Sequence, residues 1–152
     1  MKIGLFFGSF NPIHVGHVIL ANHILEFSTL ENLWFVVTPQ SPFKKKQSLI
    51  SNYTRIEMVE MAIKNYPKMK SCNIEFSMKQ PAYTVDTLAV LREKYPKHQF
   101  DLIMGEDNLV GFTKWKNYQE ILENHDLWVY PRPGHLAKDF NHPLPLKNLQ
   151  KK

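Results

Sequence analysis

One cysteine in 152 residues leaves no internal disulfide to form. Cys72 therefore excludes a disulfide-stapled scaffold and fits a reducing compartment. Standing alone at the edge of an expected strand, it reads as a core residue. No apolar run is long enough to span a bilayer, and no charged–apolar–small leader pattern is present. A cytoplasmic chain that does not engage membranes is the expectation. No segment repeats itself, and no DNA- or RNA-binding motif is visible. The net charge of +5 does not reverse that last reading, because the basic residues are spread along the chain. Only Lys44-Lys45-Lys46 and the tail Lys147, Lys151 and Lys152 cluster. A modest positive field suits small anionic nucleotides as well as it suits nucleic acid.

What is there is an ordinary globular composition, 43% hydrophobic and 22% charged, on a length that suits one domain with a real core. Strand and helix patterns alternate. Residues 3–7 read as a buried strand and 15–27 as a helix with Ile19, Leu20, His23, Ile24 and Phe27 at helical spacing. Residues 33–38 form a second strand rich in aromatic and β-branched side chains. A Pro-containing, lysine-rich loop covers 39–50. An amphipathic helix follows over 53–65, with Ile56, Val59, Ala62 and Ile63 on one face. Residues 71–76 form a third strand, and Thr84 is placed to cap a helix over 85–95 with Asp86 in its first turn. Residues 99–104 and 126–130 complete five strands, with a further helix over 115–124 between them.

Five strands alternating with helices predict an α/β fold: a Rossmann-like, doubly wound parallel sheet of order 3-2-1-4-5 with helices on both faces. In such a sheet ligands bind where the strand order reverses, beyond the carboxyl ends of the first and fourth strands. The loops expected there are 8–17 and 105–108.

The first of those loops carries the most informative stretch, Gly8-Ser9-Phe10-Asn11-Pro12-Ile13-His14-Val15-Gly16-His17. It reads as strand, loop and helix start. A helix start offers free backbone N–H groups and a partial positive charge, which together favour an anion. His14 and His17 are three apart and fall on one face of the first turn. A bland reading is a βα turn with two solvated histidines, but packing does not require histidine at both positions.

The six positions Gly8, Phe10, Pro12, His14, Gly16 and His17 resemble the G-x-F-x-P-x-H-x-G-H signature of the nucleotidyltransferase superfamily. That superfamily joins a nucleoside triphosphate to an acidic acceptor and releases pyrophosphate. Three further segments resemble the bacterial nicotinate-nucleotide adenylyltransferase family: Tyr83-Thr84-Val85-Asp86-Thr87-Leu88, Gly105-Glu106-Asp107 followed by Trp115, and Ser41-Pro42-Phe43-Lys44 in place of a P-P-H-K loop. The resemblance covers residues 1–134, implying one nucleotidyltransferase domain there and an irregular tail over 135–152.

The resemblance implies roles residue by residue. His14, His17 and Lys44 would act on the triphosphate as pyrophosphate leaves. Gly8, Ser9, Phe10, Gly16, Gly105 and Asp107 would bind ATP, Asp107 near the ribose. Tyr83, Thr84 and Trp115 would bind nicotinate mononucleotide, Trp115 by stacking on the pyridine ring. Mg²⁺ would be held mainly by triphosphate oxygens and water rather than by a carboxylate cage. The partners implied are ATP and nicotinate mononucleotide; a homo-oligomer is compatible with the sequence. The residues alone leave alternatives open. Trp115 serves equally to pack a helix, Asp107 to cap one, Tyr83 to fill a core, and Lys44, Lys45 and Lys46 are interchangeable. Arg55 serves either in a structural ion pair with a carboxylate such as Asp86 or in approaching phosphate, and the structural reading is preferred. His23, His98 and His125 also read as structural.

Two departures stand out. Phe43 occupies a position where the family more often has histidine. The family's later I-S-x-[ST]-x-I-R motif, which supplies phosphate contacts, does not occur before Lys152. Reduced turnover by this chain is the expectation. An enzyme with another acceptor, such as phosphopantetheine, or a non-catalytic nucleotide-binding module are the rival readings.

Overall fold

The computed structural model describes residues 1–39 and 50–131. Lys44 and the rest of the lysine-rich loop, and the expected tail, lie outside the described residues. Five strands form one parallel sheet in the order β3-β2-β1-β4-β5, the order predicted from the alternation. The chain divides into two compact units, Met1–Ala82 and Tyr83–Lys152.

In the first unit, β1 (Lys2–Gly8) pairs with β2 (Asn32–Val37), and β2 pairs with β3 (Met69–Cys72). All six residues of β2 are buried, so both of its faces are covered. That explains why it reads as a continuous apolar run rather than an alternation. Helix α1 (Val15–Glu26) buries Val18, Ala21 and Ile24. Ile19 and Phe27, expected on the inner face, are exposed instead. The helix is apolar nearly all round, so spacing alone does not select its inner face.

Helix α2 (Asn52–Ala62) starts where the Ser51 hydroxyl accepts from Thr54 N–H at 3.3 Å. Its inner stripe is Arg55, Val59 and, just past its end, Ile63; Ala62 is exposed. β3 lies earlier than the 71–76 expected for it. Leu33 N–H donates to the Lys68 carbonyl at 2.9 Å, which draws the chain into the sheet at Met69. A 3₁₀ turn over Ile74–Ser77 takes the place of the strand's second half. Cys72 is buried at the end of β3.

In the second unit, α3 (Thr84–Lys94) begins one residue before the position expected. Thr84 is its first helical residue, not its cap; Tyr83 is the cap residue and makes no side-chain capping bond. The Thr87 hydroxyl closes the turn on the Tyr83 carbonyl at 3.2 Å. β4 (Gln99–Gly105) pairs with β5 (Leu127–Tyr130), and α4 (Glu106–Val110) and α5 (Tyr118–Asn124) lie between them in sequence. Asp101, fully buried, accepts from Trp128 Nε1 at 2.8 Å, which satisfies a carboxylate that would otherwise be costly to bury.

His125 is structural, as its sequence context suggested. Its ring lies between the Phe100 carbonyl, 2.7 Å from Nδ1, and Arg92 Nη1, 2.7 Å from Nε2. A carbonyl only accepts and a guanidinium only donates, so Nδ1 carries the proton and Nε2 is the acceptor. Burial, with Arg92 adding to it, holds this imidazole below its ordinary range, against the Phe100 bond and the charges of Asp101 and Asp126. A histidine lowered by folding contributes stability that is complete above its unfolded value, about 6.5, and is lost as pH falls from there through the folded value. Thermal melts of the wild type are therefore expected to drop between pH 7 and 5.5. His125→Gln should start lower and decline less steeply. Parallel curves for the two proteins would remove His125 as the source.

Candidate active site

The loop between β1 and α1 is shaped by its own residues. Phe10 adopts a left-handed backbone, φ 47°, and its ring is buried against Phe6 and Phe35 at centroid distances of 5.6 and 5.3 Å. Gly8 makes room for that ring: a Cβ there would meet it at 3.1–3.4 Å. At Gly16 a Cβ would meet the His14 imidazole at 2.9 Å, so glycine is needed for His14 to lie over the first turn.

The two histidines cap α1 reciprocally. Gly16 N–H donates to His14 Nδ1 at 3.1 Å, and His14 N–H donates to His17 Nδ1 at 3.0 Å. This is a capping box with imidazole in both roles, which in most helices fall to Ser or Thr and to Glu. Backbone amides only donate, so both Nδ1 atoms are acceptors and the proton of each ring sits on Nε2. The rings stack at 3.8 Å with 27° between planes. Two N–H donors are thereby fixed side by side at a helix start. Burial first, and the charge of His14 second, lower the His17 pKa, which keeps its ring a neutral donor near neutral pH.

Arg55 is fully buried and makes no pair with Asp86. Asp86 is instead 3.3 Å from Lys116. Arg55 donates from Nε to the Ile50 carbonyl at 2.8 Å, from Nη1 to the Thr38 carbonyl at 2.9 Å and to the Ser9 carbonyl, and from Nη2 to Asn52 Oδ1. Ile50 N–H in turn donates to Asn11 Oδ1 at 2.9 Å. The histidine loop is thus tied to the end of β2 and the start of α2. Gly8, Ser9, Phe10, His14, Gly16 and His17 are brought together as predicted by position. A cavity of about 240 Å³ lined by Asn22, Glu26, Tyr66 and Lys68 lies toward the other end of α1 and does not include the motif.

In the second unit, Tyr83 and Thr84 stand at the start of α3, where the first N–H groups have no intrahelical partner. Lys116 Nζ lies 4.8 Å from the centre of the exposed Tyr83 ring. Trp115, the neighbour of Lys116, is half-buried and backed by Phe112 at 5.0 Å. Gly105 ends β4, and Asp107 sits in the first turn of α4, with Oδ1 buried and lacking a hydrogen-bond partner among the described residues. Asp107 therefore does not cap α4; Gly105 occupies that position. Lys116 had no sequence signal beyond its place next to Trp115.

Comparison with known proteins gives the arrangement its relatives. The cytidylyltransferase-like family model matches residues 5–150. A probable nicotinate-nucleotide adenylyltransferase of Christiangramia forsetii is 58% identical over 141 residues, covering 91% of this chain and 73% of the relative. Its counterpart in Cytophaga hutchinsonii is 58% identical over 133 residues, covering 88% of this chain and 69% of the relative. In fold, the chain is similar to a solved nicotinic acid mononucleotide adenylyltransferase of Plasmodium falciparum complexed with NaAD. The TM-score is 0.83 at 20% identity, covering 99% of this chain and 75% of that one. With a family model spanning nearly its whole length and relatives at this identity, the chain belongs to the nicotinate-nucleotide adenylyltransferase family.

Proposed function

We propose that this chain transfers the adenylyl group of ATP to nicotinate mononucleotide, giving the deamido form of NAD and pyrophosphate. The observation that carries the reading is the pair of Nε2–H donors held by the His14–His17 capping box at the start of α1. In the reaction, an oxygen of the mononucleotide phosphate attacks the α-phosphorus of ATP. A P–O bond forms there as the bond to the bridging α–β oxygen breaks, and pyrophosphate carries away the electron pair. The attacking phosphate is already an anion at neutral pH, so no strong base is required. The work is alignment of two anions and stabilisation of charge on the leaving group. His14 and His17 donate to phosphate oxygens. Backbone at Gly8, Ser9, Phe10 and Gly16 approaches the phosphates, and Lys44 would add a cation from outside the described residues.

Mg²⁺ would neutralise triphosphate charge when bound. Among the described residues no group of three His, Cys, Asp or Glu side chains is placed to hold a metal, so the ion would travel on the triphosphate and water. Asp107 Oδ1, a buried acceptor in need of a donor, suits a ribose hydroxyl. On the acceptor side the free N–H groups at the start of α3 suit a carboxylate, and Trp115 offers a supported aromatic face. That combination favours nicotinate over its uncharged amide.

The test is pyrophosphate release with ATP, Mg²⁺ and, in turn, nicotinate mononucleotide, nicotinamide mononucleotide and phosphopantetheine. Release with nicotinate mononucleotide is expected to exceed release with the amide by about tenfold or more, the effect of one charged contact. Preference for phosphopantetheine would overturn the acceptor. ATP binding without release for any acceptor would favour a non-catalytic module.

A further inference from the structure

Arg55 occupies the position on α2 where Val59 and Ile63 would lead one to expect another apolar side chain. A fully buried cation usually faces a carboxylate, because desolvation is otherwise uncompensated. Here no carboxylate pairs with it among the described residues. Its partners are the carbonyls of Ser9, Thr38 and Ile50 and the amide oxygen of Asn52, all uncharged. The dipoles satisfy its donors but leave its unit charge in place.

The Ser9 contact has a directional consequence. The Ser9–Phe10 peptide is trans, so its C=O and N–H point in opposite directions. With the carbonyl drawn onto Arg55, the Phe10 N–H is aimed away from it. That N–H makes no hydrogen bond among the described residues, while the Phe10 ring is buried. A backbone donor left free in a folded chain is available to a ligand. It lies in the same loop as the two histidine donors, with Phe10 and His17 rings 5.2 Å apart.

We infer that Arg55 is a positioning residue of the phosphate site, holding the Phe10 amide as a donor and keeping its own charge uncompensated so that the bound phosphate becomes its counter-anion. This rests on reading the His14–His17 loop as a phosphate site. Arg55 does not touch the ligand; it acts through the Ser9–Phe10 peptide and through its field.

Asn52→Asp separates this role from simple scaffolding. Asn52 already accepts from Arg55 Nη2, so a carboxylate there keeps the bond and supplies the missing counter-charge. It also adds an acidic group to the first turn of α2, which the helix dipole favours. Thr54→Asp adds the same charge to the same turn on an exposed residue that does not contact Arg55. The probe is inorganic triphosphate, followed by titration calorimetry, with thermal melts of each variant. Asn52→Asp is expected to melt at or above the wild type yet bind triphosphate about tenfold more weakly, the equivalent of a change of about 1.4 kcal/mol. Thr54→Asp should change affinity less than threefold. Wild-type affinity in Asn52→Asp, an equal loss in Thr54→Asp, or an Asn52→Asp variant that no longer folds would each overturn the inference. His17→Ala reports on the underlying site: if it binds triphosphate like the wild type, the phosphate site itself is misplaced. If it loses affinity while Asn52→Asp does not, only the role of Arg55 falls.

Discussion

His17→Ala is expected to lower the rate of pyrophosphate release by about 10²–10³-fold, the usual effect of removing one preorganised donor from developing charge. The difficulty lies in separating that loss from damage to the helix, because His17 is also half of the capping box. Loss of a cap contact costs about 1 kcal/mol of stability, which a melt would register without explaining a thousandfold change in rate. His17→Glu makes the separation. Glutamate at this position can reach back to the His14 N–H as imidazole does, so the cap is retained. An ionised carboxylate only accepts, so the N–H donor of the ring stacked on His14 is lost. His17→Glu should therefore melt near the wild type and turn over no faster than His17→Ala. A glutamate variant with wild-type turnover would show that His17 serves only to start α1.

The parts of this molecule legible in the sequence are those where one physical signal dominates. β2 is buried on both faces, and its Leu33 to Val37 run can form little else than a central strand. The histidine motif was legible because no packing demand explains two imidazoles three apart, and the structure shows them stacked at the helix start. Other features were hidden because two signals compete. Almost every turn of α1 carries apolar residues on more than one side, so its buried face, Val18, Ala21 and Ile24, is settled by the sheet and not by periodicity. Thr84 is a better cap by residue type than Tyr83, yet the chain enters α3 one residue earlier, and the turn is closed by Thr87 on the Tyr83 carbonyl. Lys116 comes onto Tyr83 through tertiary packing, which leaves no local trace. Arg55 did leave one: a lone charge on an otherwise apolar stripe is a request for buried partners. The sequence offered a carboxylate such as Asp86, or a phosphate, whereas the partners are the Asn52 amide oxygen and three backbone carbonyls, and carbonyls carry no sequence signature.

Those carbonyls make Arg55→Met the substitution with the largest expected effect on stability. Methionine keeps the length and fills much of the space, and it relieves the chain of a buried charge whose pKa burial already pulls below the ordinary guanidinium value. Against that relief stand the carbonyls of Ser9, Thr38 and Ile50 and the Asn52 amide oxygen, each left without its donor where Arg55 had covered it. An orphaned acceptor costs about 1–3 kcal/mol when buried and the low end of that range when part-buried, so the four together leave a net loss of roughly 3 kcal/mol. For a protein of this size that corresponds to a fall in melting temperature of about 10 °C. Arg55→Lys should fall between the two. Its single ammonium can serve some of these acceptors, but it lacks the planar fork that spans three separate segments. The loss should also be local in kind: the loop of residues 9–11 and the start of α2 lose their common tie, while β1 and β2 keep their ladder. Hydrogen exchange would register this as faster exchange at Ile50 and Thr54, whose amides are held by Asn11 and Ser51, with protection retained in β2. A methionine variant that melts within 2–3 °C of the wild type, about 1 kcal/mol or less, would mean that water or a shifted backbone satisfies those carbonyls and that the guanidinium does not hold the loop.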